Sequence, residues 1–487
     1  MATATSDHQQ PFLSTFRKTS DEFNGDAEHQ PLSSGGHPNE DYSLISCILP
    51  FLFPALGGLL FGYDIGATSS ATISIQSPTL SGTTWYDLSS VDVGLISSGS
   101  LYGALIGSVL AFKIADFIGR RRELIISAAL YFVGALITAI GPNFVIMMIG
   151  RFIFGIGIGL AMHAAPMYIS ETAPSHLRGR VISLKEFFII IGMVLGYAIG
   201  SLLVDVIAGW RYMYGLSSPI SVIMAIGMWW LPESPRWLLF CAIQGKGIIQ
   251  DLRENAIHCM CRLRGPAVSA TASQQVDDIM DELSLSGELT DISTIEMFRG
   301  KYLKALIIGC GLVLFQQSAG FSAASDATRV SILLGLVKLV MTGVAVLFVD
   351  KFGRRPLLLG GVSGMVISLL FLGAYYTFLG DAPAIAVIGL LLYVGCYQLS
   401  FGPIGWLLMS EIFPLRMRGR GVSLAVLVNF GANALVAFAF SPLKDLIGAA
   451  NLFFLFGGIT FLSVIFIFFM IPETKGMTLE EIEANLL

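Results

Sequence analysis

The sequence predicts an all-α integral membrane protein, with twelve transmembrane helices in two six-helix parallel repeats and a shortened seventh span. Three observations carry that prediction. The first is composition: of 487 residues, 54% are apolar and 13% charged, about half the ~25% usual in soluble proteins, and mean hydropathy is +0.73. Soluble domains from a chain this long need polar skins that so few charges do not supply. A soluble enzyme, a disordered protein and a nucleic-acid binder are therefore excluded. The second is the recurrence of charge-poor runs long enough to span a bilayer, which takes ~20 apolar residues. The third is a set of short motifs repeated in order at a near-constant offset, the mark of an internal repeat.

Residues 1–44 read as a disordered acidic tail. Asp7, Asp21, Glu22, Asp26, Glu28, Glu40 and Asp41, set against Arg17 and Lys18, account for the whole net charge of −5. The tail lacks the short apolar core of a secretory signal and is too acidic for a transit peptide, so the first span is expected to direct membrane insertion. Spans are predicted near 45–69, 93–112, 124–141, 144–165, 181–204 and 213–231, forming a first half over 45–231. A second half over 305–471 holds spans near 305–325, 330–349, 356–379, 384–410, 421–440 and 451–471. Between them lies a polar linker, 232–304, in which Val276, Ile279, Met280 and Leu283 have amphipathic helical spacing. Residues 472–487 form a C-terminal tail.

Orientation follows from the basic residues. The joints after spans 2, 4, 8 and 10 hold thirteen: Lys113, Arg120, Arg121, Arg122, Arg178, Arg180, Lys185, Lys351, Arg354, Arg355, Arg416, Arg418 and Arg420. The opposite joints hold only Arg211, Arg329 and Lys444. Both termini and the linker are thus expected in the cytoplasm.

The repeat is explicit. Met167-Tyr-Ile-Ser-Glu171 with Arg178-Gly-Arg180 recurs, 240 residues on, as Leu407-Leu-Met-Ser-Glu411 with Arg418-Gly-Arg420. Pro232-Glu-Ser-Pro recurs at the same offset as Pro472-Glu-Thr-Lys, and Asp116-Phe-Ile-Gly-Arg-Arg121 recurs 234 residues on as Asp350-Lys-Phe-Gly-Arg-Arg355. Two parallel six-span halves describe an alternating-access transporter. In the joints, Asp116, Glu171, Glu233 and their repeats Asp350, Glu411 and Glu473 have Arg120, Arg178, Arg236, Arg354 and Arg418 within reach. Glu171 with Arg178, and Glu411 with Arg418, are the expected pairs of a gate that locks in one state and releases in the other. The alternative for the Arg-Arg pairs is topology alone, with cations held at helix ends by the dipole and headgroups.

Charges within spans stand out, because one at mid-bilayer costs ~2.5–3.5 kcal/mol even on mild scales and is functional by default. Asp64 lies inside span 1 and Arg151 near the start of span 4. Lys338 is deep in the eighth span. Glu186 is either a cross-cavity partner of Lys338 or only the cytoplasmic end of span 5. The Gly155, Gly157, Gly159 and Gly192, Gly196, Gly200 runs read as close helix packing. The scattered cysteines, including Cys259 and Cys261 beside His258, have no second ligand pair at zinc spacing and read as free thiols.

Several of these motifs, with Phe61-Gly-Tyr-Asp64, Arg151-Phe-Ile-Phe-Gly155, Pro232-Glu-Ser-Pro-Arg-Trp237, Gln316-Gln317, Gly402-Pro403 to Trp406 and Pro472-Glu-Thr-Lys-Gly476, resemble the sugar porters of the major facilitator superfamily over about residues 44–487. Ser183-Leu-Lys-Glu-Phe187, Tyr393-Val-Gly-Cys-Tyr-Gln398 and Leu424 to Gly431 are similar to the plant branch of vacuolar glucose transporters and D-xylose–proton-symporter-like proteins. The resemblance implies that Asp64 takes up a proton under the control of Arg151; Glu186, which stands where many members have a sugar-binding Gln, is counted with these two as a proton-coupling candidate. It places Gln316, Gln317, Trp406, Asn429 and Asn433 at a monosaccharide, with Lys338 as a further candidate; amides suit this task because they both donate and accept. Phe430 stands where Trp is frequent. Proton coupling is expected, with a facilitative uniporter as the alternative. No cofactor, metal, nucleic-acid partner or enzymatic constellation is implied. A monomer is expected, in the tonoplast, with plasma membrane or plastid envelope open.

One stretch departs from the family pattern. Ile45 to Asp116 is 71 residues, but the equivalent Leu303 to Asp350 is 47. The family follows the Gln pair with a Gly- and Tyr-rich unwound segment and an outer half-helix, whereas here Gln317 runs into Ser318-Ala-Gly-Phe-Ser-Ala. Ala305 to Ser325 is still long enough to cross, ~31 Å as a helix, leaving a very short Asp326–Arg329 loop. A transport-impaired isoform or a sensor is therefore the rival from another class.

Overall fold

A chain inside lipid must satisfy its backbone polar groups internally, which restricts a spanning segment of this kind to helix. The computed structural model describes residues 44–173, 178–264, 269–285, 296–319, 328–378, 383–414, 417–477 and 479–486, and within these it is helical with short joints. The acidic tail, and residues 320–327 of the shortened stretch, lie outside the described residues.

The first half contains α1 (Leu44–Gln76), α2 (Ser90–Ile118), α3 (Arg120–Ile140), α4 (Phe144–Thr172), α5 (Arg178–Leu203), the single turn pair α6 (Gly209–Gly215), and α7 (Ser217–Trp230). The linker folds into α8 (Pro235–Ile243), α9 (Ile249–Arg264) and α10 (Ser269–Leu285). The second half contains α11 (Gly300–Ala319), α12 (Thr328–Phe352), α13 (Arg354–Phe378), α14 (Pro383–Leu399), α15 (Phe401–Ile412) and α16 (Arg418–Met470); α17 (Leu479–Leu486) follows. Gly448, at φ 78° and ψ 160°, divides α16 into two legs. Eleven described stretches are long and apolar enough to cross a membrane. The twelfth is Gly209–Trp230, bent by 57° against Pro235–Ile243. This is a twelve-span, two-repeat bundle. The expected span 10 is one stretch, Ala384–Ile412, made from α14 and α15. The described part of span 7 begins earlier than expected and runs to Ala319, where the Tyr393 hydroxyl donates to the Ala319 carbonyl.

Local chemistry sets the joints. Ser89 starts α2 through a capping box: its hydroxyl accepts from the Asp92 N–H at 3.2 Å while the Asp92 carboxylate accepts from the Ser89 N–H at 3.0 Å. Asn143 caps α4 through the Ile146 N–H at 2.9 Å. The glycine of each Gly-Arg-Arg joint, Gly119 (φ 89°) and Gly353 (φ 93°), adopts a backbone conformation that side chains avoid. The two turns occupy equivalent places in the repeat.

The glycine runs do pack helices. A Cβ at Gly155 or Gly159 would run into the Ser100 or Ala104 carbonyl of α2, and one at Gly192 into the Leu59 carbonyl of α1. Outward, large apolar side chains such as Leu202, Ile226, Phe378 and Phe469 are exposed, as a lipid-facing surface requires. The linker helices have their own small core: Trp237, Leu239, Cys241, Ala256, Cys259 and Val276. The Arg253 guanidinium donates twice to Asp277 at 2.7 Å, tying α9 to α10. Burial pushes the Cys241 and Cys259 thiols up, away from the reactive thiolate.

Candidate functional site

Two sites emerge: a charged pair sealed within the first half, and an ion-pair lattice on the Arg-rich side. The first joins Asp64 of α1 to Arg151 of α4. The contacts are Nη1–Oδ1 3.0 Å and Nη2–Oδ2 3.3 Å, the bidentate geometry that guanidinium and carboxylate favour. Ser100 of α2 donates to Asp64 Oδ2 at 2.7 Å and accepts from Arg151 Nη2 at 3.3 Å. The Arg151 guanidinium lies 4.9 Å from the centroid of the Tyr214 ring. Both charges are buried, and a small cavity lined by Tyr63, Thr138, Tyr214 and Ser217 adjoins them.

The residues expected at a substrate gather where the halves meet. Gln316 of α11 donates to the Phe401 carbonyl at 3.0 Å. Gln317 accepts from Asn433 of α16 at 3.1 Å. Trp406 of α15 and Asn429 of α16 are buried, and Phe430 meets Phe61 of α1 edge to face at 5.8 Å. Three buried polar atoms, Gln316 Oε1, Asn429 Nδ2 and Glu186 Oε2, have no hydrogen-bond partner among the described residues. Buried unsatisfied atoms are costly, and hydroxyls of a ligand would satisfy them.

Two expectations need correction here. Lys185 does not sit in a cytoplasmic joint: its side chain is fully buried and its ammonium lies 3.5 Å from the centroid of the Trp406 ring, joining the two halves. The electron-rich face of the indole and the Met162 sulfur, 3.6 Å away, receive this charge. Glu186 and Lys338 are not in ion-pair contact among the described residues, although α5 packs on α12. Held apart from Lys338, Glu186 keeps Oε2 available to a donor.

The Arg-rich side is built twice. Arg120 Nε donates to Glu171 at 3.2 Å and Nη1 to Asp116 at 3.4 Å. In the second half Arg354 reaches Glu411 at 3.4 Å and Asp350 at 3.2 Å. Ser234 donates to Glu171 at 2.6 Å, and Thr474 to Glu411 at 2.8 Å. The expected pairing of Glu171 with Arg178 and Glu411 with Arg418 is thus replaced by arginines from the neighbouring Gly-Arg-Arg joint. The reason is geometric: the turn at Gly119 or Gly353 aims the first Arg back under the helix bearing Glu171 or Glu411. Arg178 instead donates to the Met477 carbonyl at 3.4 Å, and Arg418 to the Phe413 carbonyl at 3.1 Å. Glu233 pairs with Arg121 at 3.6 Å and Arg122 at 3.5 Å, rather than with Arg236. Glu473 accepts from the Arg354 N–H at 2.9 Å and the Arg355 N–H at 3.1 Å. The second Arg of each joint caps a helix C-terminus: Arg121 donates to the Trp229 carbonyl and Arg355 to the Phe468 carbonyl, each at 2.6 Å.

Two carboxylates cross between halves. Asp350 accepts from the Arg180 N–H at 3.0 Å at the start of α5. Asp116 packs so closely on Gly419, at the start of α16, that a Cβ there would meet its carboxylate. Each anion faces the positive end of a helix in the other half, so the Arg-rich side is closed.

Sequence reasoning missed Ser100, Tyr214 and His163. Hydroxyls and rings in a span carry no periodic signal. His163, a polar side chain inside an apolar run, was visible but unassigned.

Twelve spans in two repeated halves, closed on one side by mirrored ion pairs, define a transporter of the major facilitator type. Residues 51–486 match the family model described as "Sugar (and other) transporter", and the chain belongs to that family. It is 64% identical to D-xylose-proton symporter-like 2 of Arabidopsis thaliana, covering 99% of both chains. It is 58% identical to that plant's D-xylose-proton symporter-like 3, chloroplastic, covering 92% of this chain and 84% of the relative. The proton:xylose symporter XylE bound to 6-bromo-6-deoxy-D-glucose superimposes with TM-score 0.79 at 30% identity, covering 91% of this chain and 99% of that one. The inward-open form of XylE from E. coli superimposes less well, at TM-score 0.65 with 31% identity, covering 89% and 98%.

Proposed function

We propose that the protein moves a monosaccharide of the glucose or xylose class across a membrane by alternating access, coupled to protons through Asp64. The observation that carries this reading is the Asp64–Arg151 pair, a buried carboxylate held by a removable counter-charge. The two partners stand on different helices, so breaking and remaking their contact ties proton uptake at Asp64 to the movement of α1 against α4. The Arg-rich side faces the cytoplasm, supported by the twelve bases that remain in its joints once Lys185 is set aside, against three on the other side. Gln316, Gln317, Trp406, Asn429, Asn433 and Lys338 line the sugar site in this reading, and Glu186 belongs with Asp64 and Arg151 to the proton-coupling groups. Asp116, Arg120, Glu171, Asp350, Arg354 and Glu411 form the gate, with Glu233, Arg236, Glu473, Arg178 and Arg418 around it. The protein works as a monomer, and the tonoplast is its membrane, supported by the branch-specific motifs around Lys185, Tyr393 and Asn429; a fluorescent fusion appearing at the plastid envelope would overturn that placement. In proteoliposomes with an imposed pH gradient, labelled glucose or xylose is expected to concentrate several-fold above equilibrium and to fall back when a protonophore is added. Equilibration without accumulation would make the protein a uniporter.

The Lys185 ammonium covers the face of Trp406 on which a sugar ring would stack. A desolvated cation–π contact is worth ~2 kcal/mol, so displacing it weakens binding by about 30-fold. Lys185→Met is expected to tighten sugar binding by about that factor in titration calorimetry. Unchanged affinity would mean that the sugar does not use that face.

A further inference from the structure

We propose that His163 and Glu123 form a proton-binding site that closes the Arg-rich side only when it holds a proton. The inference rests on the alternating-access reading above but not on sugar transport. His163 lies on α4 and Glu123 in the first turn of α3, with side chains 0% and 1% exposed. His163 Nδ1 is 2.7 Å from Glu123 Oε1, and Nε2 is 2.9 Å from the Gly419 carbonyl oxygen, which belongs to the other half.

The hydrogen-bond inventory fixes the proton count. A neutral imidazole has one donor nitrogen and one acceptor. A carbonyl oxygen only accepts, so Nε2 carries hydrogen. The second contact then needs a hydrogen as well, on Nδ1 or on the Glu123 carboxyl. Either way the pair holds one proton more than a neutral imidazole beside a carboxylate. Glu123 Oε2 is buried with no hydrogen-bond partner among the described residues, so His163 is the group that hydrogen-bonds this carboxyl.

The other charges around the pair have their own contacts. Arg120, one turn before Glu123, serves Glu171 and Asp116. Asp116 lies against Gly419. Arg418 and Arg420 flank Gly419, with Arg418 Nε donating to the Phe413 carbonyl. On α5, the Lys185 ammonium rests against Trp406 and the Met162 sulfur.

When the halves part, the Gly419 carbonyl leaves. A neutral His163 then donates from Nδ1 to Glu123, turns Nε2 to water and releases the extra proton. The closed state therefore binds one more proton than the open state, and acid favours closure, by up to about tenfold in the closed-to-open ratio per pH unit. The proton is taken from and returned to the same side, so transport stoichiometry is unaffected. The bridge exists once: the repeat offsets put Leu357 at the place of Glu123 and Pro403 at that of His163. It is thus separate from the ion-pair lattice, which both halves carry.

The test uses full-length protein in detergent, with native cysteines replaced by serine and spin labels at Phe117→Cys and Phe352→Cys, exposed positions at the ends of α2 and α12. Pulsed electron resonance follows the separation of these ends between about pH 5.5 and about pH 8, the range in which histidine titrates. In the parent, the short-distance population is expected to grow severalfold toward acid. In His163→Gln the amide donates to Gly419 without an added proton, and the dependence is lost. In Glu123→Gln the amide donates to Nδ1 while Nε2 holds the carbonyl, so the closed form dominates throughout the range. If one variant does not fold, the other still decides. A flat parent, or a slope that survives unchanged in a folded variant and so belongs to another group such as Asp64, would overturn the proposal.

Discussion

Asp64→Asn is expected to abolish uphill sugar accumulation while sparing exchange of sugar down its gradient. The amide keeps the shape of the carboxylate and can still accept through its one oxygen from Arg151, which holds Asp64 Oδ1 at 3.0 Å, while its NH2 faces the Ser100 hydroxyl as a donor where Oδ2 accepts at 2.7 Å. It cannot take up a proton, so a pH gradient no longer drives the cycle. It also leaves the Arg151 guanidinium buried without a counter-charge. Breaking such a pair from one side typically costs ~3–5 kcal/mol, so the variant is expected to melt lower in detergent. Accumulation in reconstituted vesicles, measured with exchange as the control, checks this. A variant that concentrates sugar at the parent rate would remove Asp64 from the coupling.

Restoring ~17–24 residues after Gln317, the length suggested by the repeat, is expected to raise uptake of labelled glucose and xylose at least tenfold in hexose-transport-null yeast at matched surface expression. The alignment with D-xylose-proton symporter-like 2 runs over 500 positions, more than the 487 residues of this chain, so gaps fall within this chain. In this architecture the sugar site sits where helices are unwound near the midplane. A missing segment there removes hydroxyl partners worth ~0.5–1.5 kcal/mol each, so losing two costs about tenfold in affinity. It also removes part of the closure on the side opposite the arginines. Equal uptake by the two chains would show that the shortened stretch carries no penalty and make this a working transporter as it stands.

Spans were legible because lipid imposes one requirement on every residue of a run, and the requirement can be read without knowing the neighbours. Asp64 and Arg151 were legible for the same reason in reverse, each being a charge where charges are rare. Partners were not. Glu171 has Arg178 seven residues away in sequence, yet its arginine comes from a turn 51 residues upstream. The repeat does not discriminate, since Glu171 with Arg178 recurs at the offset of 240 as Glu411 with Arg418, while Arg120 recurs at 234 as Arg354. Lys185 was misplaced because a basic residue near a span end looks the same whether it points to headgroups or inward to Trp406. The sign of its environment is decided by the other half of the chain.

The crossed aspartates have a kinetic consequence. Asp350 holds the start of α5 and Asp116 the start of α16, so each half is at once ligand and receptor for the other. This is bivalency within one molecule. When one contact breaks, the second keeps the detached pair at high effective concentration, and rebinding outpaces escape. Half-opened states on the Arg-rich side are therefore short-lived, and opening requires both aspartate contacts to fail together, along with the His163–Gly419 bridge. Leak through a partly separated interface is suppressed by avidity, not by the strength of either contact.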